Sequence, residues 1–155
     1  MIKIADLITE DRIACDVDVS SKKRGLEVLS EMVSRADEAL NPTTIFNKLI
    51  GREKLGSTGL GRGVALPHAR IEGSSQAQGA LIRLQDGIDF DAFDHQPVDL
   101  LFALVVPEHF TDEHLQILAR LAEMFSDANL CQKLRTTRDP ATILRLIADW
   151  DSGTS

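Results

Sequence analysis

The sequence predicts an α/β fold: a single layered domain with a mixed central β-sheet flanked by helices. Three observations carry the prediction. The run VDLLFALVVP, Val98–Pro107, is apolar apart from one aspartate, and an unbroken apolar run of that length suits a strand covered on both faces. Elsewhere apolar residues recur at helical spacing behind cap residues. These strand and helix segments intersperse along the chain, the pattern of a layered domain. The chain has 155 residues, 43% of them hydrophobic and 26% charged, enough for one domain with its own core. That domain is expected over residues 1–150, with a frayed tail over 151–155 (DSGTS).

The elements follow in order. Residues 12–19 (RIACDVDV) alternate loosely and read as a short strand. Ser20 or Ser21 caps a helix over about 21–36, with Leu26, Leu29, Val33 and Ala36 on one face. Asn41 and Pro42 open a second helix to about Lys54, whose apolar side is Ile45, Phe46, Leu49 and Ile50. A glycine-rich stretch follows, then strands at 63–66, 77–85, a short one at 88–90, and the central one at 98–106. Thr111 or Asp112 caps a helix to about Ser126, with Leu115, Leu118, Ala122 and Phe125 on its apolar side. Residues 128–135 read as a short helix. Asp139 and Pro140 open the last one, which carries Ile143, Leu146, Ile147 and Trp150.

Bulk properties exclude several classes. The net charge of −7 argues against a nucleic-acid binder, which usually shows a basic face. It leaves room for a local basic pocket. There is no tyrosine and a single Trp, so no aromatic platform for single strands is evident. No apolar run approaches the roughly 18 residues of a membrane helix, and the start MIKIADLITEDR has no leader-like core. The expectation is a cytoplasmic protein with no membrane insertion. Cys15 and Cys131 lie far apart and in no C-x-x-C, so they read as ordinary reduced thiols.

The chemistry concentrates in GSTGLGRGVALPHAR, residues 56–70, where four glycines fall within eight residues. Phosphate-binding signatures fail here. No Gly-Lys-Ser/Thr occurs, Gly63 comes one residue too early for G-x-G-x-x-G, and there is no G-x-S-x-G. The remaining use of glycine is unusual dihedrals and close approach. Pro67 fixes its own φ and pushes Leu66 toward an extended conformation, so His68 sits at a strand end on a stiffened backbone. The residues leave open whether that imidazole is functional or a satisfied structural histidine.

The other histidines are weighed the same way. His95 and His109 read as exposed, and their spacings fit no metal site. His114 opens the helix after the central strand, where the positive helix end disfavours imidazolium. It either packs on its own helix or faces the same pocket as His68. Arg52 ends the second helix and either points into solvent or meets an oxyanion at His68. Ser57 and Thr58 either donate there or close a turn. Glu53 and Glu72 read as surface charges.

The block RE-x-x-GSTG-x-G-x-G-VA-x-PHAR, from Arg52 to Arg70, resembles the signature of the type-2 enzyme IIA domains of the phosphoenolpyruvate-dependent phosphotransferase system, the mannitol/fructose class. The resemblance extends over residues 97–127, with His114 in the family's H-L-x-x-L stretch, and over residues 20–33. The Ser21-Lys22-Lys23 element and the short chain without transport domains are most similar to the nitrogen-regulatory branch.

The resemblance implies the mannitol/fructose-class fold and a phosphocarrier. His68 would take a phosphoryl group from a phosphohistidine on an HPr-like nitrogen-branch donor. Arg52 would neutralise phosphate, and His114 would be the supporting imidazole. Ser57, Thr58, Gly59, Gly61, Gly63 and Arg70 would support the phosphate more weakly. No cofactor and no metal are implied. Phosphorylation state would control target proteins, in potassium transport, nitrogen metabolism or histidine-kinase signalling. Two alternatives remain: a sugar-transport IIA that passes phosphate to a mannitol or fructose IIB, and a non-catalytic binding module.

Overall fold

The computed structural model describes residues 2–109 and 111–153. Two 3-10 turns, Ile4–Asp6 and Glu10–Arg12, precede β1 (Ile13–Val17), α1 (Lys22–Ser34) and α2 (Pro42–Lys54). Four strands follow in quick succession: β2 (Gly59–Gly61), β3 (Val64–Ala65), β4 (His68–Ile71) and β5 (Gln78–Ile88). Then come β6 (Val98–Pro107), α3 (Asp112–Phe125), α4 (Ala128–Thr136) and α5 (Pro140–Gly153).

The strands form one mixed sheet in the order β1-β5-β6-β3-β2, with β4 also on β6. Pairings β1–β5, β3–β6 and β4–β6 are parallel; β5–β6 and β2–β3 are antiparallel. β6 is the central strand the apolar run predicts, and its side chains alternate between two cores. Val98, Leu101, Ala103 and Val105 pack with α1 and α2 residues such as Leu26, Leu29, Ile45 and Leu49. Leu100, Phe102, Leu104 and Val106 pack with Ile117, Leu121, Leu134 and Ile147 of α3, α4 and α5. Period-two alternation thus serves two apolar layers at once, which is why no polar residue interrupts the run after Asp99.

The caps behave as read for α1 and α2. Ser21 accepts from Arg24 N at 3.1 Å, and Asn41 accepts from Thr43 N and Thr44 N at 2.9 and 3.1 Å. Thr111 precedes α3 but makes no side-chain cap bond. The expected strands at 77–85 and 88–90 are one strand, β5, because its pairing with β6 resumes at Ile88 after an irregularity. β2 and β4 were not expected; both are too short to show a period.

α3 is rotated from the expected face. Leu115 is 64% exposed, and the buried side is His114, Ile117, Leu121, Met124 and Phe125. Both stripes obey helical spacing, so periodicity could not rank them. Phe125 is common to both stripes and is buried as expected, edge-on to Phe102 of β6 at 6.2 Å; packing decides the rest, with Ile117, Leu121 and Met124 in the core beside Leu100 and Leu104. Leu118 and Ala122 are left half-buried beside the site described below. Among the described residues no helix is long and apolar enough to cross a membrane.

The chain also stays helical past residue 150. α5 runs to Gly153, because Asp151 is 1% exposed and accepts from Ile4 N at 3.1 Å and Ala5 N at 2.9 Å. Residues 154 and 155 of the expected tail lie outside the described residues. Arg120 faces the same carboxylate at 3.7 Å and lies over the Trp150 ring at 4.3 Å. Asp151→Ala would leave the Ile4 and Ala5 backbone N–H groups short of their acceptor. We expect a loss of about 3 kcal/mol in urea unfolding, with β-sheet content unchanged in the folded state.

Candidate functional site

The site is built on a break in a strand. Val64 and Ala65 pair with Leu100 and Leu101, and His68 to Ile71 pair with Leu104 to Pro107. The register is the same on both sides, so β3 and β4 are one strand line interrupted at Leu66 and Pro67. Pro67 has no N–H for a ladder and constrains Leu66 as well. The ladder itself survives through Pro67 O, which accepts from Leu104 N at 2.9 Å. His68 therefore stands where β4 resumes, not where the strand ends.

At that break the imidazole turns back on its own chain, with Nδ1 2.7 Å from Leu66 O. A carbonyl only accepts, so Nδ1 carries the proton and Nε2 keeps a lone pair. Burial lowers the His68 pKa from its ordinary 6.5, opposed by the Leu66 hydrogen bond; Arg52 lowers it further and Glu53 raises it. The half-buried ring is thus held neutral, nucleophilic and in one tautomer.

His114 reaches the same place from the first turn of α3. Its ring centroid is 5.4 Å from that of His68, tilted by 56°. It is 6% exposed, and its Nδ1 is buried without a hydrogen-bond partner among the described residues. Burial lowers its pKa first, then the charges of His68 and Arg70. Both imidazoles are pushed toward the neutral form chiefly by burial, and His114 further by the neighbouring His68 and Arg70.

A cavity of about 270 Å³ opens here, lined by Lys48, Arg52, His68, Ala69, Arg70 and His114. Beside it lies a second of about 360 Å³, which shares Arg52 and His68 and adds Ser57, Thr58, Gly59, Leu60, Leu66, Leu118, Ala119 and Ala122. One side of His68 is therefore cationic and the other largely apolar. Arg52 is braced at the end of α2 by a bond from Nη1 to Gly56 O at 2.9 Å. Lys48, one helical turn before it, was missed in the sequence. Its i,i+4 spacing to Arg52 was the available signal.

The structure brings His68, Arg52, His114 and Arg70 to the first cavity and Ser57, Thr58 and Gly59 to the second. Ser57 and Thr58 are also hydrogen-bonded within the fold. The Ser57 hydroxyl donates to Phe90 O at 2.7 Å and accepts from Gly59 N at 3.1 Å. Thr58 is buried, and both its N–H and its hydroxyl donate to Glu53. Glu53 is 7% exposed rather than a surface charge, whereas Glu72 is exposed as expected.

Gly61, Arg62 and Gly63 form the left-handed tip between β2 and β3, with φ of 89°, 55° and 81°. Arg135 pins that tip by donating to Arg62 O at 2.8 Å while paired with Asp99 at 3.0 Å. Neither glycine lines the two cavities at His68. Gly59 is the close approach: a Cβ there would meet Ala92 Cβ at 2.9 Å. His95 and His109 are exposed and line neither cavity.

Comparison with known proteins bears on the family and the fold. The profile of the family described as "Phosphoenolpyruvate-dependent sugar phosphotransferase system, EIIA 2" matches residues 6–150. The nitrogen regulatory protein of Pseudomonas aeruginosa is 40% identical over 153 residues, 99% of this chain and 99% of that one. The crystal structure of nitrogen regulatory protein IIA-Ntr from Neisseria meningitidis superposes with a TM-score of 0.88 at 41% identity, covering 93% of this chain and 98% of that one. IIA mannitol from Escherichia coli shares the fold at a TM-score of 0.77 and 19% identity, covering 91% of this chain and 99% of that one.

The paired imidazoles make stability depend on pH. Their folded pKa values lie below the ordinary 6.5, so the unfolded chain binds more protons below neutrality. Their contribution is complete above about pH 6.5 and is lost as pH falls through the folded values. We expect the unfolding free energy to drop between about pH 8 and about pH 5, and His68→Gln/His114→Gln to flatten part of that slope. Denaturant titrations across that range check it.

Proposed function

The chain belongs to the EIIA type-2 family of the phosphoenolpyruvate-dependent phosphotransferase system, and we propose that it is a regulatory phosphocarrier charged on His68. One observation carries the reading: a neutral imidazole, with Nδ1 tied to Leu66 O, borders a recess lined by Lys48, Arg52, Arg70 and His114. Family membership implies phosphotransfer through a histidine. The sequence similarity to nitrogen regulatory proteins over nearly the whole chain supports a regulatory output.

The step follows from the site. The Nε2 lone pair of His68 attacks the phosphorus of a phosphohistidine on an HPr-like donor. The donor's P–N bond breaks, and its electron pair returns to the donor ring. The proton stays on His68 Nδ1, hydrogen-bonded to Leu66 O, throughout. No general base is required, because the attacking nitrogen is already unprotonated.

In-line transfer of this kind depends on positioning and on stabilising charge that spreads over the phosphoryl oxygens. Arg52 and Arg70 offer forked donors and Lys48 a point charge. His114, with Nδ1 uncommitted, adds a neutral donor once its ring proton faces the oxygens. On the other flank Leu60, Leu118 and Ala122 form an apolar surface that a partner can cover, excluding water from the P–N bond. The physiological targets are proteins that distinguish the two states by the dianion at this recess, with potassium-transport and histidine-kinase proteins as candidates.

The test is a transfer assay with labelled phosphoenolpyruvate, an enzyme I and an HPr-like donor. The chain is expected to take up acid-labile, base-stable label, and His68→Ala none; label that persists in His68→Ala overturns the assignment. Arg52→Ala should slow uptake about 100-fold with folding intact. Onward passage of label to a mannitol- or fructose-class IIB protein, and from there to sugar, would establish the transport role in place of the regulatory one.

A further inference from the structure

We propose that Glu53 is a positioning residue for His68: together with Lys22 and Thr58 it holds the Leu66 backbone that fixes the imidazole. The inference rests on His68 being the phosphate acceptor. Glu53 follows Arg52 on α2 and is 7% exposed, a place where a carboxylate persists only when paired and hydrogen-bonded. Its Oε1 lies 3.0 Å from Lys22 Nζ and accepts from Thr58 N at 3.2 Å. Its Oε2 accepts a short hydrogen bond from the Thr58 hydroxyl.

Thr58 passes that hold to the site. Its carbonyl accepts from Leu66 N at 3.0 Å, and the Leu66 carbonyl accepts from His68 Nδ1 at 2.7 Å. Leu66 is thus gripped through its N–H on one side and carries the imidazole on the other. Pro67, which follows, limits any swing between them. From Lys22 to the ring there is an unbroken series of polar contacts.

Lys22 is itself anchored. It lies over the Phe90 ring at 4.5 Å, donates to Phe90 O at 3.4 Å and sits 3.6 Å from Asp91. Ser57 donates to the same Phe90 carbonyl. Lys22 opens α1, where a positive charge opposes the helix dipole, and no acidic residue occupies that first turn. Its favourable partner is on another helix, which identifies the pair as a link between α1, α2 and the loop before β2.

The consequence for chemistry is the tautomer. When the Leu66 carbonyl stays in place, the ring proton stays on Nδ1 and Nε2 can attack. When it moves, the proton is free to shift to Nε2, and that nitrogen no longer has a lone pair to give. A staple with a purely structural role would change stability and leave this partition alone.

Nitrogen-15 ring spectra of the unphosphorylated chain read the partition directly. Wild type is expected to show His68 almost wholly as the Nδ1–H form. Glu53→Gln removes the charge, and Thr58→Val removes the hydroxyl while keeping the Lys22–Glu53 pair. Both are expected to show mixed tautomers, with the transfer rate at saturating donor down about tenfold and donor affinity unchanged. Thr58→Ser should restore both. Wild-type spectra and rates in a folded Glu53→Gln overturn the proposal even if its Tm falls; if that variant does not fold, the same result in Thr58→Val overturns it. The spectra need no phosphate, so a wild-type chain that takes up no label overturns the phosphocarrier reading while the tautomers still decide whether Glu53 holds the ring.

Discussion

The bond from His68 Nδ1 to Leu66 O is the contact on which the rest of the site depends. It selects which ring nitrogen can act and fixes the plane in which it acts. A histidine in free solution interconverts tautomers and rotamers, and a nucleophile that must meet phosphorus in line loses rate for each. Here one carbonyl removes both freedoms. The carbonyl is available because Pro67 interrupts the strand line without shifting its register, so the sheet is complete on either side of a single irregular step. A regular β-strand would point the side chain away from its neighbours' backbone. The break lets it fold back onto the chain two residues earlier.

The two-sided core serves this step. β6 is buried on both faces and supplies the register partners of β3 and β4. α2 brings Lys48, Arg52 and Glu53 from one layer, and α3 brings His114 from the other. The site therefore lies where both layers end against one strand. The exposed stripe of α3, with Leu115 at 64%, is the complement of its buried stripe. The helix buries His114 and Ile117, and the same rotation exposes Leu115 and leaves Leu118 and Ala122 half-buried beside His68.

Much of this was legible in the chain. The apolar run of β6, the Asn41-Pro42 start of α2 and the spacing of α1 each encode their element locally, so the fold class follows from period and caps. His68, Arg52 and His114 carry chemistry in their residue types and were legible as a motif. What escaped depends on long-range contacts. Glu53 looks like any helical glutamate until Lys22 and Thr58 close around it. Ser57 and Thr58 have hydroxyls suited to phosphate, yet Phe90 and Glu53 already use them. Gly61 and Gly63 take the left-handed dihedrals of a tight tip. Asp151 reads as tail until two N-terminal amides find it.

The charge distribution unites these features. The chain carries −7 overall, yet the recess at His68 is lined by Lys48, Arg52 and Arg70. Cations next to an imidazole lower its affinity for a proton, and the same cations stabilise a phosphoryl dianion on it. Under the proposed role, one field favours both the neutral imidazole before transfer and the charged form after it. Glu53 lies next to Arg52 in sequence but spends its charge on Lys22 and Thr58. Its charge still raises the proton affinity of His68 against the lowering by Arg52, and a carboxylate turned into the recess would do so more strongly and repel an arriving anion. In the proposed carrier, pairing Glu53 with Lys22 and Thr58 while it holds Leu66 lets a negative residue support a site that must remain positive.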